Sequence, residues 1–222
     1  MFSSTCAIFG ETAESRISER VSKSPESAYG LSKLMAEQMI LAAEARTSLR
    51  AARLRYFNAA GADPLGRLGE AHDPETHLIP LVLDTALGLR DHIKIFGSDY
   101  PTPDGTAIRD YIHVLDLADA HVRALEHLLE TRDGISANLG TGQGSSVLDV
   151  IRCAEKVSGS PVSVIESDRR QGDPSCLVAD PARAAALMGW AAQYDLEAIM
   201  RDAWMWHSIH RAQRLETSLA AE

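Results

Sequence analysis

The sequence predicts an α/β fold built on a mainly parallel sheet. Helix-type and strand-type segments alternate along the chain, which is the pattern of strand–helix–strand crossovers. The 222 residues, 45% hydrophobic and 24% charged, suffice for one compact core or for a core plus a small lobe. No internal repeat and no low-complexity linker interrupts the alternation.

Taken in order, Phe2 to Ile8 reads as a short buried strand, and Gly10 to Pro25 as a surface connection. Leu31 to Arg46, rich in Leu, Met, Ala and Glu and free of Gly and Pro, predicts a helix. Ala51 to Phe57 predicts a strand, and Asn58 to Pro74 a long loop. Leu78 to Leu89 follows as a helix, Ile93 to Phe96 as a strand, Gly97 to Thr106 as a polar turn region and Tyr111 to Val114 as another strand. Asp116 to Leu129 is expected to be helical, capped by Asp116. Ala137 to Leu139 runs into Gly140-Thr141-Gly142, a strand-to-helix turn, before a helix at Val147 to Val157. Short strands are expected at Val162 to Ile165 and Cys176 to Ala179, and helices at Pro181 to Met188 and Leu196 to Trp206. Trp190, Trp204 and Trp206 read as packing residues of a C-terminal lobe.

A formal charge of −9 argues against a nucleic-acid surface. No apolar run approaches the roughly 18 residues of a membrane span, and Met1 to Gly10 lacks the pattern of a secretory signal. Cys6, Cys153 and Cys176 are widely spaced and form no C-x-x-C pair. Free thiols in a reducing cytoplasm are therefore expected, with neither a disulfide framework nor a metal site.

The chemistry starts at Tyr29-Gly30-Leu31-Ser32-Lys33. A spacing of four on a helix puts the phenol and the ammonium on one face. A free phenol titrates near 10 and is too weakly acidic to serve as a base at neutral pH, but a neighbouring cation favours phenolate. Such a pair can take a proton from a sugar hydroxyl while hydride leaves the same carbon. Phe2-Ser3-Ser4-Thr5 precedes it at the distance expected of a strand-end hydroxyl facing that phenol.

These features resemble the Ser/Thr, Tyr and Lys set of the extended short-chain dehydrogenase/reductase family. Leu54-Arg55-Tyr56-Phe57-Asn58, with Gly61-Ala62-Asp63 after it, is similar to a segment of UDP-glucose 4-epimerases. So are Phe96 to Thr102, Asp104 to Val114, Asp116 to His121, and Arg169-Arg170-Gln171-Gly172-Asp173, where Gln171 replaces the usual Glu. The resemblance covers nearly the whole chain and corresponds to the C-terminal two-thirds of that family. It implies a partial Rossmann-like NAD(P)-binding sheet over residues 1–60, without its Gly-rich segment. Residues 61–222 would form mostly a small α/β lobe for UDP-sugar, with some segments returning to the sheet.

The resemblance also implies roles. Thr5 would orient the substrate oxygen, with Ser4 as a rival, Tyr29 would be the base, and Lys33 would favour its phenolate while holding a cofactor ribose. Ser3, Ser4, Tyr56 and Phe57 would join Tyr29 and Lys33 around NAD. Asn58, His77 and Leu78 would contact the sugar diphosphate region, Arg109 and Arg170 the diphosphate, and Asp173 the uridine ribose. Leu177 occupies the position whose bulk limits an N-acetyl group, which favours UDP-glucose and UDP-galactose. The HxIP version of the His77 segment resembles the epimerases of bacterial exopolysaccharide synthesis. A homodimer packed partly through the helix at Leu31 is implied, and without the Gly-rich segment the chain alone is expected to bind NAD weakly, fold marginally or aggregate.

Three competing expectations remain. Dehydration is disfavoured because Thr5 is followed by Cys6 and Ala7 rather than an acidic residue. A UDP-pentose epimerase is the second. A non-catalytic fragment that binds UDP-sugar or dimerises is the third, favoured by the missing G-x-G-x-x-G turn. Arg55 reads as a structural strand residue, and His113 and His121 as packing or surface histidines.

Overall fold

A computed structural model of the chain describes residues 1–12, 14–170 and 172–219, with side chains described as far as 210; Gln171 lies outside the described residues. β1 (Phe2–Thr5) ends where Thr5 Oγ1 accepts from the Ala7 amide at 3.2 Å and opens a single 3-10 turn, so the first strand is shorter than the sequence suggests. α1 (Ala28–Glu44) starts earlier than expected, because the Ser27 hydroxyl caps it by accepting from Gly30 N at 3.0 Å. β2 (Ala52–Tyr56) pairs in parallel with β1, Phe2 opposite Arg53 and Thr5 opposite Tyr56. The expected loop after it opens instead with a strand, β3 (Asn58–Ala60). The Gly and Pro residues that signalled a loop all lie beyond Ala60.

α2 (Leu78–Ala86), β4 (Ile93–Phe96), β5 (Ile108–Arg109) and β6 (Tyr111–His113) follow, with β6 parallel to β3. α3 (Val114–Thr131) begins directly at the end of β6, which moves its cap from Asp116 to His113, whose Nδ1 accepts from Leu115 N at 3.0 Å. Asp116 is buried in the first turn and accepts from the amides of Gln193 and Tyr194. β7 (Ile135–Leu139) completes the order β1-β2-β7, all parallel. β8 (Ser145–Ser146), α4 (Val147–Ser158), β9 (Val164–Ser167), β10 (Cys176–Leu177), α5 (Ala182–Met188) and α6 (Leu196–Leu219) finish the chain. α6 runs well past Trp206 because no Gly or Pro follows Leu196 to stop it.

The central strand β2 is buried on both faces, and its alternation decides what covers each. Ala52 and Leu54 pack with Ile112, Leu117, Ala120, Ala184 and Trp190. Trp190, 1% exposed and donating through Nε1 to Asp116 O, thus belongs to the sheet core and not to a C-terminal lobe. On the other face Arg53 and Arg55 meet the carboxylates of α1. Arg55 donates to both oxygens of Glu37 at 2.9 and 2.7 Å, and Arg53 pairs with Glu44. A second core gathers Ile79, Val82, Leu83, Ile93, Ile95, Val150, Ile151, Ile199 and Met200, joining α2, α4 and α6 to β4. No described helix is long and apolar enough to cross a membrane.

Candidate active site

The site forms at the carboxyl ends of β1 and β2, where α1 begins. Gly30 is what allows the approach: a Cβ there would stand 2.3 Å from the Ala7 carbonyl oxygen. The first turn of α1 can therefore press against the turn that follows Thr5, with Tyr29 beside it. A cavity of about 230 Å³ results, lined by Ser4, Thr5, Tyr29, Tyr56, Phe57, Asn58, His77, Leu78 and Tyr111 among others.

Tyr29 stands largely exposed at this cavity. Lys33 Nζ lies 5.7 Å from its ring centroid and 5.3 Å from that of Phe2, and donates to the Ser3 carbonyl at 3.0 Å. Lys33 makes no ion pair among the described residues, so its remaining donors are open to a ligand. Ser4 and Thr5, equivalent in the sequence, differ here. The Ser4 hydroxyl is committed to Glu37 Oε1 at 2.6 Å in a buried bond, whereas the Thr5 hydroxyl accepts from the Ala7 amide at the cavity wall. Burial pushes the Glu37 carboxyl up, but the Arg55 and Ser4 hydrogen bonds outweigh it and hold the group below the ordinary range. Cys6, next to Thr5, is no nucleophile, since burial raises its thiol to about 12.

Tyr56 sits between Ser3 and His121, with its hydroxyl 2.8 Å from Ser3 Oγ and 2.6 Å from His121 Nε2. His121 Nδ1 lies 2.7 Å from the Leu117 carbonyl, which only accepts, so the proton sits on Nδ1. His121 thereby steadies a cavity wall. Burial raises the Tyr56 phenol, the Ser3 hydrogen bond opposes it and the nearby Tyr29 adds to it. His113 is fully buried, stacked on Tyr194 at 4.3 Å between centroids.

The remaining expected site residues gather on a second patch. Arg109, on β5, donates through Nη2 to Asp173 Oδ1 at 2.5 Å and through Nη1 to its own neighbour Ile108 O. Leu177, on β10, pairs opposite Arg109 and packs against the cluster that holds Cys6 and Phe57. Arg170 is exposed, its guanidinium 3.9 Å over the Phe96 ring, and makes no salt bridge among the described residues. None of these four lines the cavity at Tyr29. Asp110 and Tyr111 join the two places: Tyr111 lines the cavity and Asp110 follows Arg109 directly. The Asp110 carboxylate is wrapped by the Thr141, Gly142 and Ala179 amides and the Thr141 hydroxyl, which lower its pKa, yet burial prevails and raises it. Gly140-Thr141-Gly142 is thus a turn folded around a carboxylate. Tyr111, Glu37 and Asp110 escaped the sequence reading. Asp110 and Tyr111 left a signal, as members of the segment Arg109-Asp110-Tyr111-Ile112-His113.

Residues 1–140 match the model of the NAD dependent epimerase/dehydratase family. The chain belongs to that family. A curated UDP-glucose 4-epimerase of Rhizobium leguminosarum bv. trifolii is 51% identical over 94% of this chain and 64% of its own length. The UDP-glucose 4-epimerase of Stenotrophomonas maltophila, solved with NAD and a formylated UDP-arabinopyranose, superimposes with a TM-score of 0.92 at 40% identity. It is matched over 97% of this chain and 64% of that one. That of Brucella ovis, solved with NAD, gives 0.89 at 48% identity over 91% of this chain and 63% of that one. The fold is accordingly the Rossmann-like α/β fold of the family. The chain spans less than two thirds of the length of these relatives.

Proposed function

We propose that this chain carries the proton-transfer and substrate-holding groups of a NAD-dependent UDP-glucose 4-epimerase, which interconverts UDP-glucose and UDP-galactose. The observation that carries the reading is the convergence of Thr5, Tyr29 and Asn58 on one cavity, with Lys33 against the same strand end. The relatives' names and bound ligands support the substrate class.

The residues present fit the nicotinamide half of NAD. Lys33 has free donors for ribose hydroxyls, and Phe57 offers a flat apolar wall. NAD, when bound, supplies the hydride acceptor and returns the hydride. Thr5 has a hydroxyl available to orient the 4-oxygen, and Tyr29 takes its proton, its phenolate favoured by the Lys33 ammonium. After the 4-keto sugar turns over to present its other face, Tyr29 returns the proton to the 4-oxygen. Arg109 and Arg170 hold the diphosphate. Asp173 accepts from the uridine ribose, and Leu177 narrows the space for an N-acetyl group.

The test is conversion of UDP-galactose to UDP-glucose by the full 222-residue chain, with and without excess NAD. Tyr29→Phe is expected to lower the rate by roughly 10²–10⁴-fold. An unchanged rate in that variant would remove Tyr29 from the mechanism. No conversion by the wild-type chain, with UDP still bound, would point to a binding role alone.

Homodimerisation through α1 belongs to the same reading. Leu31, Met35 and Met39 repeat every four residues on one face and are 49%, 55% and 73% exposed. Sedimentation over a concentration series should show a monomer–dimer equilibrium that Met35→Lys weakens; monomer at every concentration would exclude it.

A further inference from the structure

We propose that Glu70, His72, Glu75 and His77 form a binding site for one divalent first-row cation, Zn²⁺ by the chemistry of the donors. One ligand atom from each of the four lies within 4.8 Å of the others. Glu75 Oε1 is 3.8 Å from the Nδ1 atoms of both His72 and His77, and His72 Nδ1 is 2.9 Å from Glu70 Oε1. His77 Nδ1 also contacts Glu70 Oε1, so both imidazoles turn the same nitrogen toward the same carboxylate. Tetrahedral zinc with bonds of 2.0–2.2 Å sets its donors roughly 3.3–3.6 Å apart, which small side-chain rotations reach from here.

An independent observation points the same way. The Glu75 side chain is only 4% exposed. Its Oε1 accepts from the amides of Thr76 and His77 at 2.7 and 2.9 Å, while its Oε2 is buried without a partner. Hydrogen bonds from the two histidines to Glu70 account for the rings. They do not account for a buried carboxylate oxygen with nothing opposite it, a costly state that a cation relieves. His207 Nδ1, on α6, is likewise buried and unpartnered, and its ring feels the charges of Glu70 and Glu75.

The frame is firm and the mouth is open. Trp206 Nε1 donates to the Glu70 carbonyl at 2.9 Å, fixing that end of the segment to α6. His77 immediately precedes α2, and its side chain makes no capping bond there. The His72 and His77 side chains are 58% and 59% exposed, which gives the ion a path from solvent. The sequence expectation of no metal site weighed only cysteines. The Glu-x-His-x-x-Glu-x-His spacing was the signal it passed over.

The inference stands on these four residues and not on the epimerase reading, and its test needs no turnover. The chelator-stripped chain is titrated with ZnCl₂ by calorimetry and, separately, with Co²⁺ followed by visible absorption. One equivalent is expected to bind. Co²⁺ should show the d–d bands of a four-coordinate nitrogen–oxygen site with no thiolate charge-transfer band. His72→Ala, at an exposed side chain, and Glu75→Gln should each weaken Zn²⁺ at least tenfold, with the circular dichroism of the apo chain checked for each. The proposal is overturned by the absence of saturable binding, by a thiolate band, or by affinity that His72→Ala leaves unchanged.

Discussion

Two arginine–carboxylate pairs divide the molecule. Arg55 and Glu37 are 4% and 2% exposed at the side chain, doubly hydrogen-bonded, and joined by Ser4. Arg109 and Asp173 are 13% and 35% exposed and share one hydrogen bond. The first pair stands behind the cavity of Tyr29 and is spanned by a helix and two strands. The second stands between a two-residue strand and the connection that leads to β10. A pair that is sealed and fully geared to secondary structure holds a shape, whereas a pair partly open to water can exchange one partner for a ligand. The difference places rigidity at the reacting end of the proposed site and exchangeable charge at the anchoring end.

The comparison can be broken most sharply at Glu37. Glu37→Ala leaves a buried guanidinium uncompensated and should cost about 3–5 kcal/mol, read from chemical denaturation; a loss below about 1 kcal/mol would show that the pair is not sealed. Gly30→Ala comes next. Its Cβ must displace the Ala7 carbonyl, at about 1–3 kcal/mol of overpacking, and should also move Tyr29 away from Thr5. Thermal denaturation reads the first effect. The rate of the proposed epimerisation reads the second.

Asp173→Ala should cost less than Glu37→Ala, about 1 kcal/mol, because the pair is only partly shielded from water. Its main effect is on ligands. Inorganic diphosphate should bind several-fold tighter, because Arg109 no longer has to give up a partner, while UDP should bind several-fold weaker if Asp173 holds the ribose. Both measured by calorimetry, the two changes have opposite signs. Equal shifts in one direction would show that Asp173 acts only on Arg109.

The placement of Tyr29 and Lys33 was legible in the sequence because its logic is local. A spacing of four on a helix brings Tyr29 and Lys33 to one face whatever the rest of the fold does. The choice between Ser4 and Thr5 was not legible, since Glu37, the group that claims the Ser4 hydroxyl, lies 33 residues away. β3 was hidden for a related reason: its three residues gain their ladder only from β6, far along the chain. The cap of α3 was misplaced because Asp116 is a good capping residue by type. The structure uses its carboxylate instead to receive the amides at 193 and 194. The alternation that set the fold class survives such errors, because it is a property of the whole chain and not of any one boundary.

Asp110 has a consequence of its own. Its two oxygens are tied to the turn after β7 and to the strand-end amide of Ala179, so the backbone at this point has no freedom to slide or rotate. Arg109 precedes it and Tyr111 follows it, so the clamp on Asp110 fixes the backbone from which both side chains project. One faces the loop that carries Asp173, the other the cavity that holds Tyr29. The clamped residue therefore works as a fixed ruler: any molecule that grips the arginine at one end and meets the phenol at the other must match a length that the protein has already set.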